Sequence, residues 1–327
     1  MKHILRTLAV SLVSLAMANM AEARTYKIGS IQWIAFGPVN VAETQGLWKK
    51  LGVDVEVTVY GSNQELNTAL ENKKIDIAID MIGSWVGMYM DGVPLTILAE
   101  TDWSNGGDKI IAKPDVDFAK IKGQKLGVYL DKPSVTFFLS KFLGDKGVKL
   151  SDVQLVELEP QTMADNFIQG RLPVIVNYDP EALRAEREGK GIVAATSATY
   201  PGVIPEGFVA RTDVVKEIPK DDLVKIMKGW VEAVKWVKDP ANMAALKTVL
   251  NEKTFAGAKN SDDDIKGMLD SVKIHTADEQ KARNAAGGGL ETYLTELNAF
   301  LKANNLLKKD FTAKDILDTT AIVEALK

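Results

Sequence analysis

The sequence contains no cysteine and only two histidines, His3 and His275. The first absence removes disulfides and thiolate chemistry. Together the two remove Cys–His nucleophilic sites and His-rich metal sites. Stability must then come from packing, and about 300 residues are enough to bury one or two cores. Long apolar runs are scarce as well: beyond residues 8–17 nothing approaches the roughly 20 residues that span a bilayer. An excess of positive charge is also missing. The chain has 40 Lys and Arg against 44 Asp and Glu, whereas a nucleic-acid or anionic-membrane partner needs a basic face. Enzymes working through Ser–Lys or paired carboxylates survive these counts, but no motif in the sequence supports them.

What is present begins with Met1-Lys2-His3-Ile4-Leu5-Arg6, the apolar residues 8–17 and Ala21-Glu22-Ala23. That is the order of a secretory signal peptide, with cleavage expected after Ala23. Residues 1–23 carry Lys2, Arg6 and Glu22, so 38 basic and 43 acidic residues would remain in a mildly acidic mature chain. No Cys follows the apolar stretch to take a lipid. The mature protein is expected free in the periplasm.

From Tyr26 onward short β-branched runs alternate with helical segments, the pattern of an α/β fold with largely parallel strands. Strands are expected at 26–32, 53–60, 75–79 and 95–99. Helices should lie between them, one opened by Pro38 and another by a Ser62/Glu65 capping box. A second series follows: strands at 109–112, 125–130, 154–158, 174–178 and 192–195, with helices at 133–143, 162–169 and 180–187. After one more strand at 207–211 the chain turns helical, with the clearest apolar stripe at Leu223, Ile226, Met227, Trp230 and Val234. This order predicts two α/β lobes joined by two crossovers, near 102–108 and 198–206. Lobe 1 would be built from 24–104 plus 206–327 and lobe 2 from 105–205. A ligand cleft would lie between the lobes, and the C-terminal helical segment would return to lobe 1.

The run Tyr26-Lys27-Ile28-Gly29, then Gln32-Trp33, Gly37-Pro38 and residues 45–56, resembles the opening of nitrate/sulfonate/taurine-type substrate-binding proteins of ABC transporters, in the thiamine-pyrimidine-precursor-like superfamily. Residues 65–70, 72–76 and 122–127 continue the resemblance, which covers most of 25–210. It implies a type II periplasmic binding protein that closes on a small solute and docks on a membrane permease, as a monomer, without cofactor, metal or nucleic acid. A pyrimidine-precursor enzyme on the same fold and a periplasmic ligand sensor are the alternatives. The enzyme branch looks Cys-rich, which this chain is not.

Ligands of such folds sit at the carboxyl ends of parallel strands, and the strand-to-helix turns can be placed from the sequence. The first offers Trp33, Phe36 and Gly37, and the one after residue 79 offers Asp80 and Ser84, where a helix start could hold an anionic group. The first crossover offers Asp102 and Trp103. The second lobe offers Asp131 and Ser134, then Asn177, Tyr178 and Asp179. Four Asp among aromatic rings, with no Arg in those turns, predict an acidic, aromatic-walled pocket. The solute expected there is nitrogen- or sulfur-containing and polar. It would carry an amino or guanidino-like group, as a simple cation or as a zwitterion such as a taurine-like sulfonate, rather than be a bare anion such as nitrate.

Overall fold

Aliphatic and β-branched runs become eleven strands among the described residues, which are 24–129, 132–255, 257 and 259–327 of a computed structural model. The expected signal peptide, residues 1–23, lies outside the described residues. One sheet has six strands: β1 (Thr25–Ile31), β2 (Asp54–Tyr60), β3 (Ile77–Met81), β4 (Leu95–Ser104), β10 (Pro205–Arg211) and β11 (Val272–Ile274). The other has β5 (Asp108–Ala112), β6 (Lys125–Tyr129), β7 (Gln154–Leu158), β8 (Val174–Tyr178) and β9 (Ile192–Thr196). Their orders are β11-β4-β10-β3-β1-β2 and β7-β6-β8-β5-β9.

β3 is buried along its whole length, as its near-continuous apolar run requires of a strand covered on both faces. β2 alternates exposed and half-buried residues because it is an edge strand. β1 pairs parallel with β2 and β3, and β6 with β7 and β8. The expectation of largely parallel strands needs correction, since β10 runs antiparallel to β3 and β4, and β5 antiparallel to β8 and β9. These are strands by which the chain passes from one sheet to the other, so each enters its sheet from the cleft side, against the βαβ direction.

β4 continues to Ser104 instead of ending at Ala99, because its last residues pair with β10 and with β11. Asp102 and Trp103 are therefore strand residues, not crossover residues. The first connection shrinks to Asn105, Gly106 and Gly107. Gly106 adopts φ +120°, open only to glycine at little cost. Ser104 Oγ lies 2.8 Å from Ser197 Oγ, which also accepts from Gly106 N at 2.7 Å, so the two connections are tied together.

Ser62 caps the Asn63–Glu71 helix by accepting from Glu65 N at 3.2 Å, but the Glu65 carboxylate returns to Gly61 N, one residue short of a full capping box. Leu223, Ile226, Met227, Trp230 and Val234 of the Lys220–Val237 helix are buried as their spacing predicts. The sequence reading missed β11 and the Ala277–Asn284 helix, the first because three residues carry no periodicity. The helices Ile82–Met90, Pro133–Asp145 and Gly289–Ala303 pack together where the two sheets' layers meet. Phe137 and Phe300 lie 4.9 Å apart there, and Tyr293 Oη is 2.9 Å from Ser134 Oγ. Among the described residues no helix is long and apolar enough to cross a membrane.

Candidate functional site: a cleft between the sheets

The ends of β1, β3, β6 and β8 and the starts of β5 and β10 converge on a small cavity. Ile31, Trp33, Phe36, Asn63, Asp80, Met81 and Glu206 line it from the first sheet's side. Asp108, Tyr129, Lys132 and Tyr178 line it from the second's. Asp80, Asp108, Lys132 and Glu206 are all buried. Charged groups survive burial only when paired, hydrogen-bonded or protonated, and each of these is accommodated differently.

Asp80 is paired. Lys132 crosses the cleft and donates to Asp80 Oδ2 at 2.6 Å, Ser84 Oγ at 2.5 Å and Asn63 Oδ1 at 3.0 Å. An ammonium has three donors, so none remains for an anion.

Glu206 is held towards its neutral form. It accepts from Trp33 Nε1 at 2.7 Å and stands opposite Asp102 on the neighbouring strand. Burial, and then the Asp102 carboxylate, push its acid well above the usual range. Burial raises Asp102 too, and its Oδ1 has no hydrogen-bond partner.

Asp108 has half its needs met. Tyr129 Oη donates to Oδ1 at 3.0 Å, while Oδ2 has no hydrogen-bond partner. Burial pushes the carboxyl up to about 6, against its hydrogen bonds and the Lys132 charge. Tyr178 stands edge-on to Trp33 at 5.8 Å and to Tyr129 at 5.4 Å, so rings wall the same cavity. Burial raises both tyrosines, which leaves them neutral donors.

Of the residues named from the sequence, Trp33, Phe36, Asp80 and Tyr178 line the cavity. Ser84 reaches it only through Asp80 and Lys132, and Asp102 stands behind Glu206. Asp131 lies outside the described residues. Gly37 packs against the Leu250 side chain, where a Cβ would come within 2.5 Å. Trp103 Nε1 donates to Glu100 Oε1 at 2.6 Å, beneath the Arg283 guanidinium 5.0 Å from its ring. Ser134 meets Gly83 and Tyr293, so that second-sheet residues cover the helix start after Asp80 and leave no room for an anion. Asn177 donates to Pro160 O, and Asp179 pairs with Lys109 at 2.9 Å. Of the four Asp expected to form the pocket, Asp80 is the one among the described residues that lines it, and Lys132 already matches it; the lining carboxylate with an unmet oxygen is a different one, Asp108.

Sequence reasoning missed Asn63, Tyr129, Lys132 and Glu206, and reached Asp108 only as the end of the polar crossover stretch 102–108. Two signals were available: a charged residue opening the apolar strand after Pro205, and a Lys immediately before Pro133 at a helix start. Among the described residues no cluster of three or more His, Asp or Glu is gathered to hold a metal.

Two lobes of α/β structure enclosing a lined cavity, with two short connections between them, define a substrate-binding protein of the kind that serves ABC importers. The sequence pattern of the NMT1-like family matches residues 19–251, and the chain belongs to that family. It is 26% identical over 233 residues to a Brucella abortus protein named as a binding protein, covering 69% of this chain and 70% of that one. The ligand-binding component of an ABC-type import system from Staphylococcus aureus superposes with TM-score 0.71 at 14% identity, over 92% of this chain and 99% of that one. The alkanesulfonate-binding protein SsuA of Xanthomonas axonopodis pv. citri, bound to MOPS, gives TM-score 0.70 at 13% identity, over 90% and 98%. At these identities the two solved structures establish the shared fold.

Proposed function

We propose that the protein is a non-enzymatic periplasmic receptor, monomeric and not lipidated, that delivers a small cation or zwitterion with an amino or guanidino-like group to the permease of an ABC importer. The lobes would comprise residues 24–104 plus 206–327 and residues 105–205. The observation that carries the solute class is Asp108: a buried carboxylate with an unmet oxygen on a cavity walled by Trp33, Tyr129 and Tyr178. A cation over such rings gains about 0.5 to 2 kcal/mol, and a charge-assisted hydrogen bond to the carboxylate adds to it. An anion, by contrast, meets acids and a lysine whose donors are spent. The alkanesulfonate named for SsuA is thus a poor guide to this cleft.

Ligand contacts made to both lobes exist only when the cleft is closed, so binding favours the closed form. The test is a thermal-shift screen of the mature chain with propylammonium, guanidinium, taurine, nitrate and ethanesulfonate, since binding to the native state raises the midpoint. A rise with the cations or with taurine, lost in Asp108→Asn, supports the reading. A rise with nitrate or ethanesulfonate alone overturns the solute class and leaves the receptor.

A further inference from the structure

Lys132 stands out because it belongs to the protein yet sits where a bound cation would. Its side chain is 5% exposed and leaves the turn before the Pro133–Asp145 helix to cross into the first sheet's half of the cleft. There it meets three acceptors on two segments: Asn63 at the start of one helix, Asp80 on β3 and Ser84 in the following helix. The root of the side chain is held too. Pro133 follows it, and Ser134 is wedged between Gly83 and Tyr293, where a Cβ on Gly83 would come within 1.9 Å of Ser134 Oγ. Withdrawing the ammonium would strand Asp80, a carboxylate with no other cation beside it among the described ion pairs, and an uncompensated buried charge is strongly disfavoured.

We propose that Lys132 is a built-in cation that fills the Asp80 seat and so restricts the cleft to solutes with a single cationic centre. The restriction on the solute rests on the cation reading above. With Asp80 matched internally, Asp108 is the cavity carboxylate left with an unmet oxygen. One positive group satisfies it. A second, on a solute small enough for this cavity, is brought towards a fixed ammonium of the same sign, and the other lining acid, Glu206, already accepts from Trp33 Nε1. Lys132 is thereby a specificity-determining residue that acts by occupation.

Titration calorimetry on the mature chain with propylammonium and propane-1,3-diammonium reads this directly. The wild type is expected to prefer the monocation at least tenfold, and Lys132→Met, which frees Asp80, to move that ratio at least tenfold towards the dication. Equal binding of both by the wild type, or a ratio unmoved in the variant, overturns the proposal. Thermal midpoints of Asp80→Asn, Lys132→Met and the double variant supply a readout that needs no solute. Both single variants should lose stability and the double variant should recover part of it, whereas plain additivity shows that the pair is not formed and overturns the proposal. Strong coupling with neither amine bound by any variant retains the pairing but overturns the cation reading, and with it the limit on solute charge.

Discussion

Asp108 keeps its proton to about pH 6, from an ordinary value of 3.8, because burial disfavours the ionised carboxylate more than its bonds support it. The folded state therefore binds more protons than the unfolded chain between about pH 4 and about pH 6. Stability from this group is present below that window and lost as pH rises through it, by about 3 kcal/mol in all. Melts of wild type and Asp108→Asn across pH 4–7 should converge in acid and separate towards neutrality, with the Asn variant the more stable above pH 6. A cation that needs the ionised carboxylate should weaken as pH falls below about 6, by up to tenfold per unit. Glu100 presents the opposite balance. Burial opposes its charge, but bonds from His275 at 3.0 Å and Arg283 at 2.6 and 2.9 Å hold it below its usual range. Glu100→Ala should cost about 3 kcal/mol or more in denaturant unfolding, the penalty of breaking a buried pair.

Between helices, close approach outweighs helix propensity at Gly229 in the Lys220–Val237 helix. An Ala there would ordinarily gain up to about 1 kcal/mol, but its Cβ would fall 2.1 Å from the Trp48 ring, which is anchored by Nε1 on Ile226 O at 2.9 Å. Gly229→Ala is expected to destabilise by about 1 to 3 kcal/mol, and a gain in melting temperature would refute that packing argument. The first connection between the sheets was expected at 102–108, and the polar, glycine-bearing stretch was correctly placed by composition. Its limits were not legible, because β4 is prolonged to Ser104 by partners on β10 and β11 that are distant in sequence.

For the whole molecule, the Lys132 contact bridges the two sides of the cleft. Small-angle scattering of the mature chain should show the radius of gyration falling when propylammonium is added at pH 7.5. The change should be weaker at pH 5, where Asp108 is protonated; an unchanged radius alongside a raised melting midpoint would rule out closure as the response to solute. The resemblance to sulfonate- and nitrate-type binding proteins was legible in residues 25–210, and so was the cleft between two α/β halves. Trp33, Phe36, Asp80 and Tyr178 were legible too, because each closes an apolar strand or follows one in a turn.

Periodicity and strand–turn–helix order are local quantities, so the sequence by itself determined the succession of elements, the α/β class and the ends of strands from which a site could be built. Pairing of charges depends on residues brought together from far apart. Only the tertiary structure decided that Lys132 neutralises Asp80, that Lys109 takes Asp179 and that Glu206 stands opposite Asp102. Among the described carboxylates that line the cavity, the one with an unmet oxygen is Asp108, at the first residue of a strand that runs against its neighbours, and its place on the cavity follows from that crossing of the chain.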